Sequence, residues 1–192
     1  MRKSVCIALA MAMVLETAVT ASADAKRREA PPVPHWSEVE FPASYPVGSV
    51  VVVNRERALY FVGEEGKARR YPVAIGTPDE QWTGKEIVDE MRENPRWFPI
   101  GGDDDSPTDP IPGGDPRNPL GVRALYLGKT LWRIHGTIVP NSIGRAVSNG
   151  CIRMHTAHSV DLFERVAIGT EVYVVQTLAD RQPLRRGRKL TS

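Results

Sequence analysis

Ser148-Asn149-Gly150-Cys151-Ile152-Arg153-Met154 sets a thiol directly after a turn-forming triplet and two positions before a cation. Glycine adopts backbone conformations closed to other residues, so Gly150 lets the chain turn sharply here. The amides of Gly150 and Cys151 can then converge on one oxyanion. A thiol near its ordinary pKa of about 8.5 is mostly protonated at neutral pH, so a cysteine nucleophile needs a positioned base. His135 supplies a candidate, closing a strand-like run and followed by Gly136-Thr137. Arg153 is placed to favour the thiolate or to hold a substrate carboxylate. Ser148 and Thr137 are read as backbone-bonding hydroxyls that shape the site, since neither is as readily activated as a thiol.

Outward from this stretch, the chain reads as mostly β with one helix. Downstream, Thr156 is the expected N-cap of a helix whose apolar face holds Val160, Phe163 and Val166 with Leu162 close by, and Gly169 is its expected terminator. Val172-Tyr173-Val174-Val175 is a final strand. Upstream, strands are expected at Arg123-Ala124-Leu125-Tyr126-Leu127 and Leu131-Trp132-Arg133-Ile134, and from Gly84 to Met91. Val50-Val51-Val52-Val53 is another. Ala58 to Val62 and Lys67 to Ile75 flank Gly63-Glu64-Glu65-Gly66, a hairpin pattern. The Gly-, Pro- and Asp-rich run from Gly101 to Gly121 is a long loop. Its Asp103-Asp104-Asp105 lacks the alternate spacing and the glycine of a calcium loop, so a solvated loop is the reading.

The ends bear on the compartment. Arg2 and Lys3 precede an apolar run, Val5 to Leu15, and Ala21-Ser22-Ala23 offers a small-x-small cleavage pattern, with cutting after Ala23 or Ala25. The run is about half the ~20 residues a spanning helix needs, so no stable membrane span is expected. Residues 1–23 are therefore read as a signal peptide, 24–47 as a Pro-rich leader before the fold, 48–177 as the catalytic domain and 178–192 as a basic tail. Export to the periplasm or cell envelope would remove Cys6 and leave Cys151 as the remaining thiol. A leftover cysteine in an exported protein is a bridge, an inert core residue or a reactive group. With 41% hydrophobic residues the chain can bury a core without disulfides, and a formal net charge of +2 gives no reason to expect a nucleic-acid partner.

His135-Gly136-Thr137, Ile143-Gly144 and the Ser148–Met154 run together resemble the signature of the L,D-transpeptidase catalytic domain family, the YkuD type. Tyr71-Pro72-Val73-Ala74-Ile75-Gly76, Thr83-Gly84, Asn94-Pro95-Arg96-Trp97-Phe98-Pro99, Asn118-Pro119-Leu120-Gly121 and Asp161-Leu162-Phe163 also match, in the right order. The resemblance implies a β-sandwich with one main helix after the cysteine, and an acyl-transfer cycle on peptidoglycan. In it Cys151 is the nucleophile, His135 the general base, and Gly150 and Cys151 the oxyanion hole; Arg153, Ser148, Asn149, Gly136 and Thr137 bind substrate or shape the site. The implied donor is a tetrapeptide stem. The acceptor is an amine: a second stem, a lipoprotein lysine or a D-amino acid. Neither cofactor nor metal is implied. Two positions depart from the pattern: Asn149 stands where the family usually has histidine, and Trp82 precedes Thr83 where a smaller residue is common.

Other readings make different demands. Cys151, His155 and His158 have zinc-like gaps but offer only three ligands, so the histidines are read as surface residues at the helix entry. A sortase-like transpeptidase takes its arginine from a later strand, whereas Arg153 is two positions from the cysteine. Cell-wall cysteine endopeptidases commonly place cysteine before histidine, the reverse of the order here. A hydrolase on the same domain, with water resolving the thioester, has the same sequence requirements. A non-catalytic wall-binding module would not need Cys151.

Overall fold

The computed structural model describes residues 36–99 and 109–179. The expected signal peptide, Cys6, the Asp103-Asp104-Asp105 run and most of the basic tail lie outside the described residues.

Ten strands, a 3₁₀ turn (Pro140–Ser142) and one α-helix make up the described elements. The strands are β1 (Ser37–Glu40), β2 (Val50–Val53), β3 (Ala58–Val62), β4 (Lys67–Gly76), β5 (Gly84–Glu93), β6 (Arg123–Leu127), β7 (Arg133–His135), β8 (Ala146–Ser148), β9 (Ile152–Met154) and β10 (Glu171–Val175). The helix α1 spans Thr156–Phe163. Strand order runs β1-β4-β3-β2-β10-β5-β6-β7-β9, and β4 also pairs with β9 and β8. The long strands β4 and β5 therefore belong to both layers of a β-sandwich and join them at two sides.

The four valines of β2 are all fully buried because both faces of that strand are covered. Val50 and Val52 face the inter-sheet core with Leu59, Tyr71, Val73, Leu125, Ile152, Leu162 and Val174. Val51 and Val53 face a second cluster with Phe41, Tyr60 and Val62. A strand buried on both faces reads as a continuous apolar run, not an alternating one. β10 lies parallel to β2 and antiparallel to β5, so the last described strand sits inside the sheet. The β3–β4 hairpin forms as expected, with Glu65 and Gly66 at positive φ in its turn.

Three local expectations change. The stretch 37–47 lies on the fold and not ahead of it: β1 pairs antiparallel with β4, and Phe41 is buried against Tyr60 at a ring separation of 4.8 Å. Its prolines fall after the strand, at positions 42 and 46, where they do not interrupt pairing. Thr156 is the first helical residue, not the cap; His155 occupies the cap position, and the Thr156 hydroxyl instead points to the Thr137 carbonyl. The buried face of α1 is His158, Ser159 and Leu162. Gly169 (φ +94°) lies beyond the helix, in the turn that leads into β10, where its amide donates to Val88.

Candidate active site

Residues 149–151 connect β8 to β9, and both strands pair with β4, β8 parallel and β9 antiparallel. The turn is fixed through its carbonyls. Ser148 O accepts from the Thr77 amide (2.9 Å), Gly150 O from the Trp82 indole N–H (3.0 Å), and Cys151 O from the Ser148 hydroxyl (2.6 Å). The amides of Gly150 and Cys151 hydrogen-bond to no other described residue. Gly150 has φ +93°, and a Cβ there would come within 3.0 Å of Trp132 Nε1 and 3.2 Å of Glu80 O, so conformation and space both require glycine. Cys151 is half-buried, and its Sγ lies 3.7 Å from Leu131 O.

His135 ends β7, between Ala124 of β6 and Arg153 of β9. β7 and β9 run parallel with Ile134 opposite Ile152 and His135 opposite Arg153. Alternation then sends Ile134, Ile152 and Met154 into the core and puts Arg133, His135, Cys151 and Arg153 on the other face. Continued one residue back, this register sets Cys151 beside Arg133, two positions from His135 along the neighbouring strand. Strand spacing of about 4.8 Å and a rise of about 3.3 Å per residue give roughly 8 Å between those backbones, within reach of side chains on one face.

The His135 ring is buried, and its Nδ1 lies 2.6 Å from Gly136 O. A carbonyl only accepts, so Nδ1 carries the proton and Nε2 keeps a free lone pair. Burial is the main cause that pushes the His135 pKa down to about 4, and the charges of Arg153 and Arg133 act in the same sense. The carbonyls of Gly136 and Leu120 oppose them. The imidazole is therefore neutral at physiological pH and able to accept a proton.

Among the other expected site residues, Ser148 and Thr137 are buried and bonded to the backbone, Thr137 accepting from the Val139 amide at 3.0 Å. Gly136 is packed so closely that a Cβ would lie 3.1 Å from Ser159 Oγ. Arg153 is half-buried and makes no ion pair with another described residue. Asn149 is exposed, two residues before Cys151. His158 corrects the surface reading: it is buried, with its ring 5.4 Å from those of Tyr71 and His155. His155 is half-buried, and desolvation lowers its pKa.

The structure gives a place at the site to two residues that were not counted among its expected members. Arg133 lies on the same face two positions before His135, with its guanidinium 5.2 Å over Tyr126. Strand alternation from His135 was the signal for it. Asn118 is buried, and its amide donates to Pro95 O and Pro112 O while its Oδ1 accepts from the Leu120 amide. It thereby holds the loop whose Gly121 packs against the Gly136 backbone behind His135.

A family model described as the L,D-transpeptidase catalytic domain (YkuD) matches residues 48–174. The chain is 31% identical to ErfK/SrfK of Escherichia coli K12 over 137 residues, covering 67% of this chain and 44% of that protein. It is 34% identical to YqjB of Bacillus subtilis 168 over 131 residues, covering 65% of this chain and 69% of that protein. Both are named as L,D-transpeptidases. This chain thus spans less than half the length of ErfK/SrfK. Similar solved structures include an L,D-transpeptidase from Mycobacterium smegmatis (TM-score 0.53, 15% identity, 66% of this chain and 57% of that one). L,D-transpeptidase 3 from Mycobacterium tuberculosis is also similar (TM-score 0.52, 17% identity, 68% and 61%). At these identities the structures bear on the fold alone, a β-sandwich with one main helix.

Proposed function

The chain belongs to the L,D-transpeptidase catalytic domain (YkuD) family, and from that premise we propose that it is an exported cysteine acyltransferase acting on peptidoglycan stem peptides. The observation that supports this reading is the β7–β9 register, which puts His135 and Cys151 on one face within side-chain reach, beside two amides that no other described residue engages.

In the proposed cycle His135 Nε2 takes the Cys151 proton as sulfur attacks the carbonyl of the third residue of a tetrapeptide stem. The tetrahedral oxyanion is held by the amides of Gly150 and Cys151. Its collapse breaks the amide bond, and the imidazolium returns the proton to the departing D-alanine amine. The Cys151 thioester is then attacked by an acceptor amine, which His135 deprotonates. A new amide forms and the thiol is restored. Arg153, a cation two residues from the nucleophile that pairs with no described carboxylate, is placed to bind a stem carboxylate. Asn149 is exposed two residues before Cys151 and can donate to the substrate through its amide. A second stem, a lipoprotein lysine or a free D-amino acid each provides the amine. The N-terminal apolar run with its small-residue cleavage pattern supports delivery to the periplasm or cell envelope, and no described helix is long and apolar enough to cross a membrane.

Mass spectrometry of the products from a disaccharide-tetrapeptide substrate tests the proposal. Dimers that disappear with Cys151→Ala are expected. Tripeptides alone identify a hydrolase on the same domain, and unchanged substrate overturns the reading.

A further inference from the structure

The Trp82 indole N–H donates to the Gly150 carbonyl at 3.0 Å, across 68 residues of chain. In a trans peptide the carbonyl and the following N–H point in opposite directions. Fixing Gly150 O toward Trp82 therefore fixes the Cys151 N–H away from it, and this is one of the two amides left unengaged in the turn. A glycine at φ +93° leaves that peptide plane free to rotate unless something holds it.

Trp82 is itself held from two sides. Its main-chain carbonyl accepts from the side-chain amide of the buried Asn54 at 3.1 Å. Its ring stacks on Trp132 with centroids 3.9 Å apart and planes 2° from parallel. Trp132 in turn occupies the space that a Cβ on Gly150 would need. The paired indoles thus form a rigid strut from the β2–β3 turn to the nucleophile turn. Packing alone would explain two stacked rings at the edge of the core, but it does not require the indole N–H to aim at Gly150 O.

We propose that Trp82 is a positioning residue for acyl transfer: by clamping the Gly150 carbonyl it presets the Cys151 amide as an oxyanion donor. The inference rests on the acyl-transfer reading of the site. It predicts that losing the N–H slows the step that forms an oxyanion and spares chemistry at sulfur that forms none. Misaimed donors cost on the order of 10- to 100-fold in rate.

The test compares the wild type with Trp82→Phe and with a variant carrying benzothienylalanine at position 82, which keeps the bicyclic shape and lacks the donor. Three quantities are read: the rate of acylation by a carbapenem, the rate of alkylation by iodoacetamide, and the Cys151 amide resonance in 15N-labelled protein. Acylation falling at least 10-fold, with alkylation and melting temperature unchanged and the amide resonance displaced, is the expected result. Equal acylation rates, a parallel fall in both reactions, or an unmoved resonance overturn the assignment. A wild type that carbapenem fails to acylate counts against the acyl-transfer reading instead, and the amide resonance still decides whether Trp82 sets the peptide.

Discussion

His135 Nδ1 is hydrogen-bonded to the carbonyl of Gly136, the next residue in its own chain, at 2.6 Å. The proton is thereby committed to Nδ1 and the lone pair to Nε2, and among the described residues no carboxylate pairs with the ring. His135→Gln removes the proposed base and keeps a polar side chain of similar size. Acylation of Cys151 at neutral pH is expected to fall about 10²- to 10⁴-fold. Single-turnover acylation followed by mass spectrometry measures it, and a change below threefold would remove His135 from the base role.

The same burial makes stability depend on pH. The folded-state pKa of His135 is depressed to about 4 from an ordinary value near 6.5, so between these values the unfolded chain binds the extra proton. The contribution is complete above pH 6.5 and is lost as pH falls toward 4. At pH 5 the cost relative to neutral pH is on the order of 2 kcal/mol for this one group. Urea unfolding at pH 7 and pH 5 checks the sign: the wild type should lose more stability than His135→Gln over that interval.

Gly150→Ala forces a Cβ toward Trp132 Nε1 and Glu80 O at a positive φ. The expected cost is about 1–3 kcal/mol in stability. Acylation should fall further than this loss explains, because the displaced peptide carries the Cys151 amide. Thermal melting and carbapenem acylation, measured on the same preparation, separate the two effects.

A contrasting variant lies away from the site. Tyr71 Oη donates to Asp161 at 2.5 Å, tying β4 to α1, and Asp161 also receives Arg69 and Arg165. Burial opposes ionisation of Asp161, yet the hydrogen bonds from Arg165 and Tyr71 and the charge of Arg69 outweigh it and hold the pKa at about 2. Tyr71→Phe should cost about 1 kcal/mol, visible as a lower urea midpoint, with the acylation rate of the folded protein unchanged. A slowed acylation would show that α1 positions the site.

The strands that were legible in the sequence are those whose own side chains demand burial. Val50–Val53, Ala58–Val62 and the Glu64–Gly66 turn needed no distant partner to be recognised. β1 carries Ser37, Glu38 and Glu40 and gives no apolar alternation, so its pairing with β4 was hidden. β8 and β9 are three residues each and exist because β4 lies between them. The burial of His158 depends on Tyr71, far away in the chain, and could not be read from its neighbours. The candidate thiol and imidazole could be picked out because turn, thiol and imidazole are close in sequence. The carbonyl clamps on their turn come from Thr77 and Trp82, brought in by the fold.

The place of β10 has a consequence for biosynthesis. The last of the described strands to leave the ribosome must slot between β2 and β5, which were made far earlier, and its Val172 and Val174 join the inter-sheet core. A nascent or prematurely terminated chain ending before residue 171 already contains Cys151, but its sheet has a gap at the centre. Such closure by a late, distant segment is slow compared with local pairing. The thiol is thus synthesised before the sheet that frames it is closed, and the surroundings of Cys151 become a report that synthesis has passed β10 and that this strand has docked.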